Sequence, residues 1–171
     1  IVRAGLSWTL TDEDIEALEL QGGADLDGTG NAGANNLQGN SGGNILSGLA
    51  GVDTINGNDG DDIIIGGEGN DLLRGGLGAD RFVVAHAFGT PLETDQVYDF
   101  STVEGDLIDL TAAFAGTLVL VAAFSKTAGQ MTLTFAGGIT TLKLDTTGDG
   151  KADYQMKING DVTGDSAGWL L

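Results

Sequence analysis

The chain has 171 residues, of which 30 are glycine, one is proline and none is cysteine, and its formal net charge at pH 7 is −18. The negative charge argues against binding to nucleic acid or to an anionic membrane and favours binding of cations, and the lack of cysteine excludes disulfides and thiolate metal sites. Glycine does not fall at every third position, which excludes collagen, and an apolar content of 41% argues against a wholly disordered chain.

The first 29 residues precede any repeat and contain one candidate helix. The segment "TDEDIEALEL" starts at Thr11, a favourable N-cap residue, and carries acidic residues in its first turn. We interpret residues 1–29 as a flank that caps the repeats that follow, with a further ion site in the acidic segment as the alternative. The opening "IVRAGLSW" has neither an initiator methionine nor a signal-peptide pattern, so we expect the chain to be part of a larger protein.

A nine-residue repeat runs in unbroken register from Gly30 to Val83. Its six blocks are GNAGANNLQ, GNSGGNILS, GLAGVDTIN, GNDGDDIII, GGEGNDLLR and GGLGADRFV. Positions one and four are always glycine, and position eight is always a large apolar residue. Position six is always asparagine or aspartate, and its residues are Asn35, Asn44, Asp53, Asp62, Asp71 and Asp80.

This repeat predicts a solenoid. Glycine enters positive-φ conformations without penalty, so the fixed glycines predict a tight turn. The last three positions predict a very short strand whose middle side chain points inward. One such strand cannot bury its apolar residue alone, whereas stacked copies can, with two repeats in each coil. The odd blocks then contribute Leu37, Ile55 and Leu73 to one sheet, and the even blocks contribute Leu46, Ile64 and Phe82 to the other.

The turns of this solenoid predict calcium sites. Stacking brings turn n beside turn n+2, where the carboxylates repel each other unless a hard cation lies between them. Ca²⁺ accepts carboxylate and carbonyl oxygens in flexible geometry, whereas Mg²⁺ requires stricter geometry and Zn²⁺ prefers His or Cys. Six blocks contain four such pairs of turns, so we expect about four ions between turns, with further ions at the ends left open. The predicted ligands in the repeats are Asn35, Asn44, Gly48, Gly51, Asp53, Gly57, Asp59, Gly60, Asp62, Gly66, Gly69, Asp71, Gly75, Gly78 and Asp80.

Residues 30–83 resemble the calcium-binding parallel β-roll of RTX (repeats-in-toxin) proteins. Residues 79–110, "ADRFVVAHAFGTPLETDQVYDFSTVEGDLIDL", resemble the segment after the roll in serralysin-type proteases and in the R modules of mannuronan epimerases. Residues 141–158 resemble the strand–turn–strand that closes such modules, and the ending "GDSAGWLL" is similar to an uncleaved type I secretion signal. The resemblance implies an all-β fold, with the parallel β-roll over residues 30–83 and an antiparallel β cap with the secretion signal over residues 84–171.

The repeats depart from the family pattern at two ligand positions. Asn35 and Asn44 stand where aspartate is expected, and an amide brings no charge, so we expect the first sites to be weak or partly empty. Beyond the repeats, the resemblance implies that Asp95 binds the last ion, with Glu93 as a weaker candidate. The alternative is that Asp95 is a solvated loop carboxylate.

The C-terminal part alternates polar and apolar residues from Met131 onward, which predicts an antiparallel meander with its first turn at 136–138. The loop "DTTGDGKAD" places Asp145, Asp149 and Asp153 at EF-hand positions, but Met156 stands where a bidentate glutamate is needed. A polar hairpin loop and a calcium site both stay open there. We expect the outward-facing residues Ile63, Ile65 and Leu72 to pack beneath the C-terminal cap, with binding of a partner as the alternative.

We interpret the chain as a non-catalytic module. His86 stands alone, and no metalloprotease, serine-elbow or cysteine-nucleophile motif is present. The resemblance implies a secreted module that folds on calcium outside the cell, passes through a type I secretion apparatus and helps an upstream domain of its parent protein to fold. The alternative is an auxiliary module that binds an extracellular polysaccharide or a cell surface, although seven basic residues and 6% aromatic residues argue against an anionic polymer.

Overall fold

The computed structural model describes residues 1–85, 92–164 and 168–170, which contain seventeen β-strands and no α-helix. The strands are, in chain order, β1 (Val2–Ala4), β2 (Trp8–Thr9), β3 (Ala17–Leu20), β4 (Asp27–Thr29), β5 (Asn36–Gln38), β6 (Ile45–Ala50), β7 (Thr54–Asp59), β8 (Ile63–Glu68), β9 (Leu72–Leu77), β10 (Arg81–Val83), β11 (Glu93–Val97), β12 (Leu107–Asp109), β13 (Val119–Leu120), β14 (Gln130–Ala136), β15 (Ile139–Asp145), β16 (Tyr154–Asn159) and β17 (Trp169–Leu170).

Alternate strands of the repeats enter two different sheets. A ten-stranded sheet has the order β1-β3-β5-β7-β9-β11-β16-β15-β14-β13, and a seven-stranded sheet has the order β17-β12-β10-β8-β6-β4-β2. Within the repeats each strand pairs in parallel with the strand one coil away, so that Leu37 lies opposite Ile55 and Leu46 lies opposite Ile64. Two nonapeptides therefore make one coil of a parallel β-roll, as the repeat predicts.

The core of the roll is a single file of apolar side chains from each sheet. All six position-eight residues are between 0% and 2% exposed, which confirms the prediction that they point inward. Their neighbours in each strand point outward, and Ile45, for example, is 43% exposed. The core is one side chain wide per strand. The six inward residues are Leu37, Leu46, Ile55, Ile64, Leu73 and Phe82.

The N-terminal flank belongs to the roll, and the predicted helix is wrong. Residues 17–20 form β3, which lies between β1 and β5 and pairs with both in parallel. The period-two pattern of "ALEL" prevails over the helix-favouring Thr11 and its acidic neighbours because a strand buries Leu18 opposite Leu37. On the other sheet β2 and β4 extend the stack in the same way. Gly30 thus marks the start of the nonapeptide pattern rather than the start of the stacked strands.

The stack also continues beyond Val83. β11 pairs in parallel with β9, and β12 pairs in parallel with β10. β14, β15 and β16 form the predicted antiparallel meander, with Gly137 and Gly138 at φ +61° and +81° in its first turn. β16 pairs in parallel with β11, and β17 pairs in parallel with β12. The C-terminal segments therefore lengthen both sheets of the roll.

Because the meander extends the ten-stranded sheet, it does not cover the outer face of β9. Leu72 is 39% exposed, so the expectation that it packs beneath the cap is wrong. Ile63 and Ile65, on the outer face of β8, are half-buried. The domain boundaries at residues 29 and 83 remain a prediction from the sequence. Strands on the two sides of each boundary pair with each other in the structure.

We predict that Ile64→Ala destabilises the folded protein by about 2–5 kcal/mol. The substitution leaves a cavity in the core, and few neighbouring side chains can move to fill it. Ile45→Ala is the matched control, since it removes the same atoms from an exposed side chain of the neighbouring strand. Chemical denaturation in saturating calcium measures both changes. Equal losses in the two variants would contradict the single-file core.

Candidate metal centre

The position-six side chains form a ladder of hydrogen bonds that joins each coil to the next. The Oδ1 atom of Asp53 accepts a hydrogen bond of 2.7 Å from the backbone N–H of Asn35, 18 residues earlier. Asp62 accepts the same bond from Asn44 at 2.7 Å. Asp71 and Asp80 repeat it on the following coils, each at 2.9 Å. Turn n and turn n+2 are therefore neighbours, as the repeat predicts.

The second carboxylate oxygen is buried without a protein donor in three of these residues. The Oδ2 atoms of Asp53, Asp62 and Asp80 have no hydrogen-bond partner among the described residues. Burial, together with repulsion from the stacked carboxylates, raises the pKa of Asp53 and of Asp80 to about 6 and the pKa of Asp62 to about 7. A buried carboxylate oxygen without a donor is costly, so the ionised side chains require a cation.

Backbone carbonyl oxygens lie beside these carboxylates. A side chain at Gly48 would collide with Asp53 Oδ2 and would lie 2.5 Å from the carbonyl oxygen of Gly66, one coil away. At Gly57 the same space holds Asp62 Oδ2 and, at 2.5 Å, the carbonyl oxygen of Gly75. Position one must therefore be glycine because oxygens from two turns converge on the space that a Cβ atom would fill.

The glycines at position four have a second requirement. Gly51, Gly60, Gly69 and Gly78 have φ between +111° and +132°. A side chain at Gly51 would also lie 2.6 Å from the carbonyl oxygen of Gly33 in the stacked turn. Only glycine satisfies both the backbone conformation and the close approach.

This donor set fits a calcium ion. No group of three or more His, Cys, Asp or Glu side chains that could hold a metal occurs in residues 1–85, 92–164 and 168–170. An ion between the turns would therefore combine carboxylate oxygens with backbone carbonyls. Ca²⁺ accepts such a mixed set of oxygens in flexible geometry, whereas Zn²⁺ would lack its preferred ligands.

Asn35 and Asn44 differ from the aspartates of the later turns. The Nδ2 group of Asn35 donates to Oδ1 of Asn31 at 2.9 Å, and its Oδ1 accepts the backbone N–H of Asn31 at 2.7 Å. Asn44 forms the same two bonds with Asn40, at 3.1 Å and 2.8 Å. Both predicted ligands thus have their polar atoms hydrogen-bonded within their own turns.

Asp95 continues the ladder after the last repeat of the ten-stranded sheet. Its Oδ1 accepts the backbone N–H of Asp71 at 3.0 Å, and its Oδ2 accepts the hydroxyl of the fully buried Tyr154 at 2.6 Å. Asp95 is 3% exposed, so it is not a solvated loop carboxylate. Burial raises the pKa of Asp95 to about 7.

Asp106 is the equivalent residue on the other sheet, and the sequence analysis missed it. Its Oδ1 accepts the backbone N–H of Asp80 at 2.9 Å, and its Oδ2 accepts the backbone N–H of Ser101 at 2.8 Å. Its local sequence contained the signal. Asp106 stands two residues before the buried Ile108, as Asp80 stands two residues before Phe82.

Other candidates lie apart from the buried ladder. Asp59 is exposed on the surface of its turn, and Glu93 lies half-buried in β11. The buried Asp145 accepts the backbone N–H groups of Gly148 and Gly150, so the hairpin loop is closed by its own carboxylate. His86 falls outside the described residues.

A shallow cleft of about 310 Å³ lies on the outer face of the ten-stranded sheet. Polar side chains of β5 and β7 line it together with Arg74, Leu72 and Tyr98. Arg74 lies 3.8 Å from a carboxylate oxygen of Asp99, so its charge is partly neutralised.

None of the described segments is a helix of the length and hydrophobicity needed to cross a membrane.

Comparison with known proteins agrees with this geometry. The family model of the RTX calcium-binding nonapeptide repeat matches residues 29–64 and 47–82. The solved R2 subunit of the mannuronan C5-epimerase AlgE6 from Azotobacter vinelandii has a TM-score of 0.67 at 23% identity, with 92% of each chain covered. The R3 subunit of the same enzyme has a TM-score of 0.44 at 24% identity, with 98% of this chain and 84% of that chain covered. No curated protein sequence matches significantly. The family model thus identifies residues 29–82 as RTX calcium-binding repeats, and the similarity to the R2 subunit is a similarity of fold.

We predict that the metal-free module gains β-structure as the pH falls from 7.5 to 4.5. The folded-state pKa values of Asp53, Asp62 and Asp80 lie above the ordinary 3.8. Their contribution to stability is therefore fully present below about pH 4 and is lost as the pH rises through about 6 to 7. Circular dichroism of chelator-treated protein measures the effect, and Asp62→Asn should weaken it. A loss of β-structure on acidification would contradict the assignment of these pKa values.

Proposed function

We propose that this RTX-type module is a non-catalytic folding unit that stays unfolded where calcium is scarce and folds on calcium outside the cell. The observation that carries the proposal is the row of buried carboxylate oxygens without protein donors at Asp53, Asp62 and Asp80. Without a cation, the folded state must either keep these charges buried and stacked or hold the carboxyls protonated. Both alternatives disfavour the fold at neutral pH.

The rest of the chain does little to offset this cost. The core of the repeats is one apolar side chain wide per strand, and the formal charge of −18 repels the coils from one another. Calcium binds the stacked turns and not the extended chain, so it shifts the equilibrium by mass action. At a calcium concentration of about 100 times the Kd, each independent site contributes roughly 2.7 kcal/mol.

The residues have distinct parts in this process. The position-six carboxylates bind the ion and, through Oδ1, hold the backbone of the preceding coil. The position-one glycines leave space for the carbonyl oxygens that complete the site, and the position-four glycines allow the turn. We propose that each aspartate turn binds its ion through residues one, four and six, namely Gly48, Gly51, Asp53, Gly57, Gly60, Asp62, Gly66, Gly69, Asp71, Gly75, Gly78 and Asp80. The exposed Asp59, at position three of one turn, is a further candidate ligand of that turn.

An unfolded, calcium-free chain suits export through a narrow channel. The C-terminal residues that resemble a type I secretion signal include β17, which in the folded module pairs with β12. Recognition of this segment by a type I secretion apparatus would thus occur before the module folds. Folding outside the cell would then order the upstream domain of the parent protein.

A polysaccharide-binding auxiliary module is the second candidate. The cleft over β5, β7 and β9 supports it, because amide side chains with one aromatic ring and one guanidinium can form hydrogen bonds to sugar hydroxyls and stack on a sugar face. The net charge of −18 disfavours an anionic polymer at this surface.

We predict that the chelated protein at pH 7.5 lacks the β-structure of the roll and that calcium restores it with a sigmoidal titration. Asp62→Asn should raise the calcium midpoint by about tenfold, which corresponds to a loss of about 1.4 kcal/mol. Asp27→Asn is the matched control, since it removes the same charge from an exposed side chain of β4 and should leave the midpoint within about twofold. A roll that forms fully in chelator would refute the proposal.

We predict that removal of residues 161–171 abolishes export when the chain is co-expressed with a type I exporter. Asp62→Asn keeps the C-terminal segment and weakens only calcium binding, so it should still be exported. Immunoblots of medium and cells measure both results. Normal export of the truncated chain would show that the signal lies elsewhere.

A further inference from the structure

We infer that the row of calcium ions is confined to the four aspartate turns and is closed at both ends by protein groups that stand in place of an ion. The inference rests on the proposed calcium-dependent folding and specifies which turns take part in it. At the N-terminal end the closing groups are Asn31 and Asn40, and at the C-terminal end they are Tyr154 and Ser101.

The amide pairs close the first two turns from within. In the first turn Asn31 accepts a hydrogen bond from the side-chain Nδ2 of Asn35 at 2.9 Å and from the backbone N–H of Gly33 at 2.9 Å. Its own Nδ2 donates to the carbonyl oxygens of Asp12 and Ile15 at 2.9 Å and 3.0 Å. The Asn31 side chain therefore forms hydrogen bonds within its own turn and to the preceding coil. In the later turns we assign this stabilising role to the ion.

The second turn repeats this arrangement. The Nδ2 of Asn40 donates to the carbonyl oxygen of Ala24 at 2.9 Å, and its Oδ1 accepts the backbone N–H of Gly42 at 2.8 Å. Asn40 and Asn44 are 8% and 1% exposed. Asn44 Oδ1 lies beside Gly39, as Asp62 Oδ2 lies beside Gly57, but it is a neutral amide oxygen that already accepts the backbone N–H of Asn40, so this turn leaves no buried charge without a donor.

The backbone of the two kinds of turn also differs. In the four aspartate turns position two has positive φ, with values of +79° at Leu49, +81° at Asn58, +106° at Gly67 and +113° at Gly76. Asn31 and Asn40 are absent from the described residues with positive φ, and so are the position-four glycines Gly33 and Gly42. The first two turns therefore have a different conformation, in which the position-two side chain points into the turn.

At the C-terminal end of the row, hydrogen-bond donors of the protein satisfy the carboxylates. Asp95 and Asp106 occupy ladder positions, but each has both oxygens hydrogen-bonded, the second by Tyr154 and Ser101 respectively. The orphaned oxygens of Asp53, Asp62 and Asp80 lie between these two ends. The stack thus needs ions only where the protein supplies no donor of its own.

Anomalous diffraction from crystals of the calcium-loaded wild-type protein locates the ions directly. We expect peaks beside Asp53, Asp62 and Asp80 and none within coordination distance of Asn35, Asn44, Asp95 or Asp106. A peak at any of these four residues would overturn the inference. Absence of every peak at the aspartate turns would instead contradict the proposed function, so the two failures are distinguishable.

A gain-of-site variant tests the same point in solution. Asn31→Gly with Asn35→Asp removes the amide pair and supplies a carboxylate, and isothermal titration with calcium should then give one more ion per chain than the wild type. Asn58→Gly is the control, because it changes position two of an aspartate turn, where the side chain bonds to Asn56 and to the carbonyl oxygen of Gly39 rather than to the position-six carboxylate, and it should leave the ion count unchanged. An unchanged count in the folded double variant would overturn the inference.

Discussion

The buried carboxylates of Asp53, Asp62 and Asp80 are subject to two incompatible requirements, and the rest of the roll is arranged around them. The position-six carboxylate places Oδ1 on a backbone N–H of the neighbouring coil, which fixes the stacking distance of the roll. In these three residues the same contact buries Oδ2 where no donor among the described residues reaches it. The Oδ1 atoms are therefore hydrogen-bonded to the backbone, whereas the buried negative charge is not neutralised by any group among the described residues. A divalent cation would neutralise it.

This conflict explains why the composition is so rich in glycine and why the core is so thin. Oxygens from two turns converge beside Gly48 and Gly57, which excludes any side chain there. A larger core could hold the coils together without metal, and the meander of β14, β15 and β16 has such a core around the buried Tyr154. The proposed calcium-dependent folding would require that this internal contribution stay small.

The repeat alone was enough to predict the coil of two nonapeptides, the inward residues and the neighbours of each turn, because each follows from periodicity. It failed where a tertiary contact outweighed a local preference. Thr11 and its acidic neighbours favour a helix, yet the strand that buries Leu18 prevails. The hydrogen bond between Asp95 and Tyr154 joins residues 59 apart, and no local pattern encodes it. The direction of the Asn31 side chain depends on the φ angle of its backbone, and the residue type does not determine that angle.

The parallel pairing of coils that lie 18 residues apart has a mechanical consequence. Among the described strands, β1 and β2 at the N-terminal end each pair with a strand on one side only, so a pull on that end loads their bonds first and leaves the other coils unstressed. The roll then opens one coil at a time, and each step releases about 60 Å of extended chain. A force applied at one end meets a series of small barriers, whereas a force across the sheets must break all the coils together.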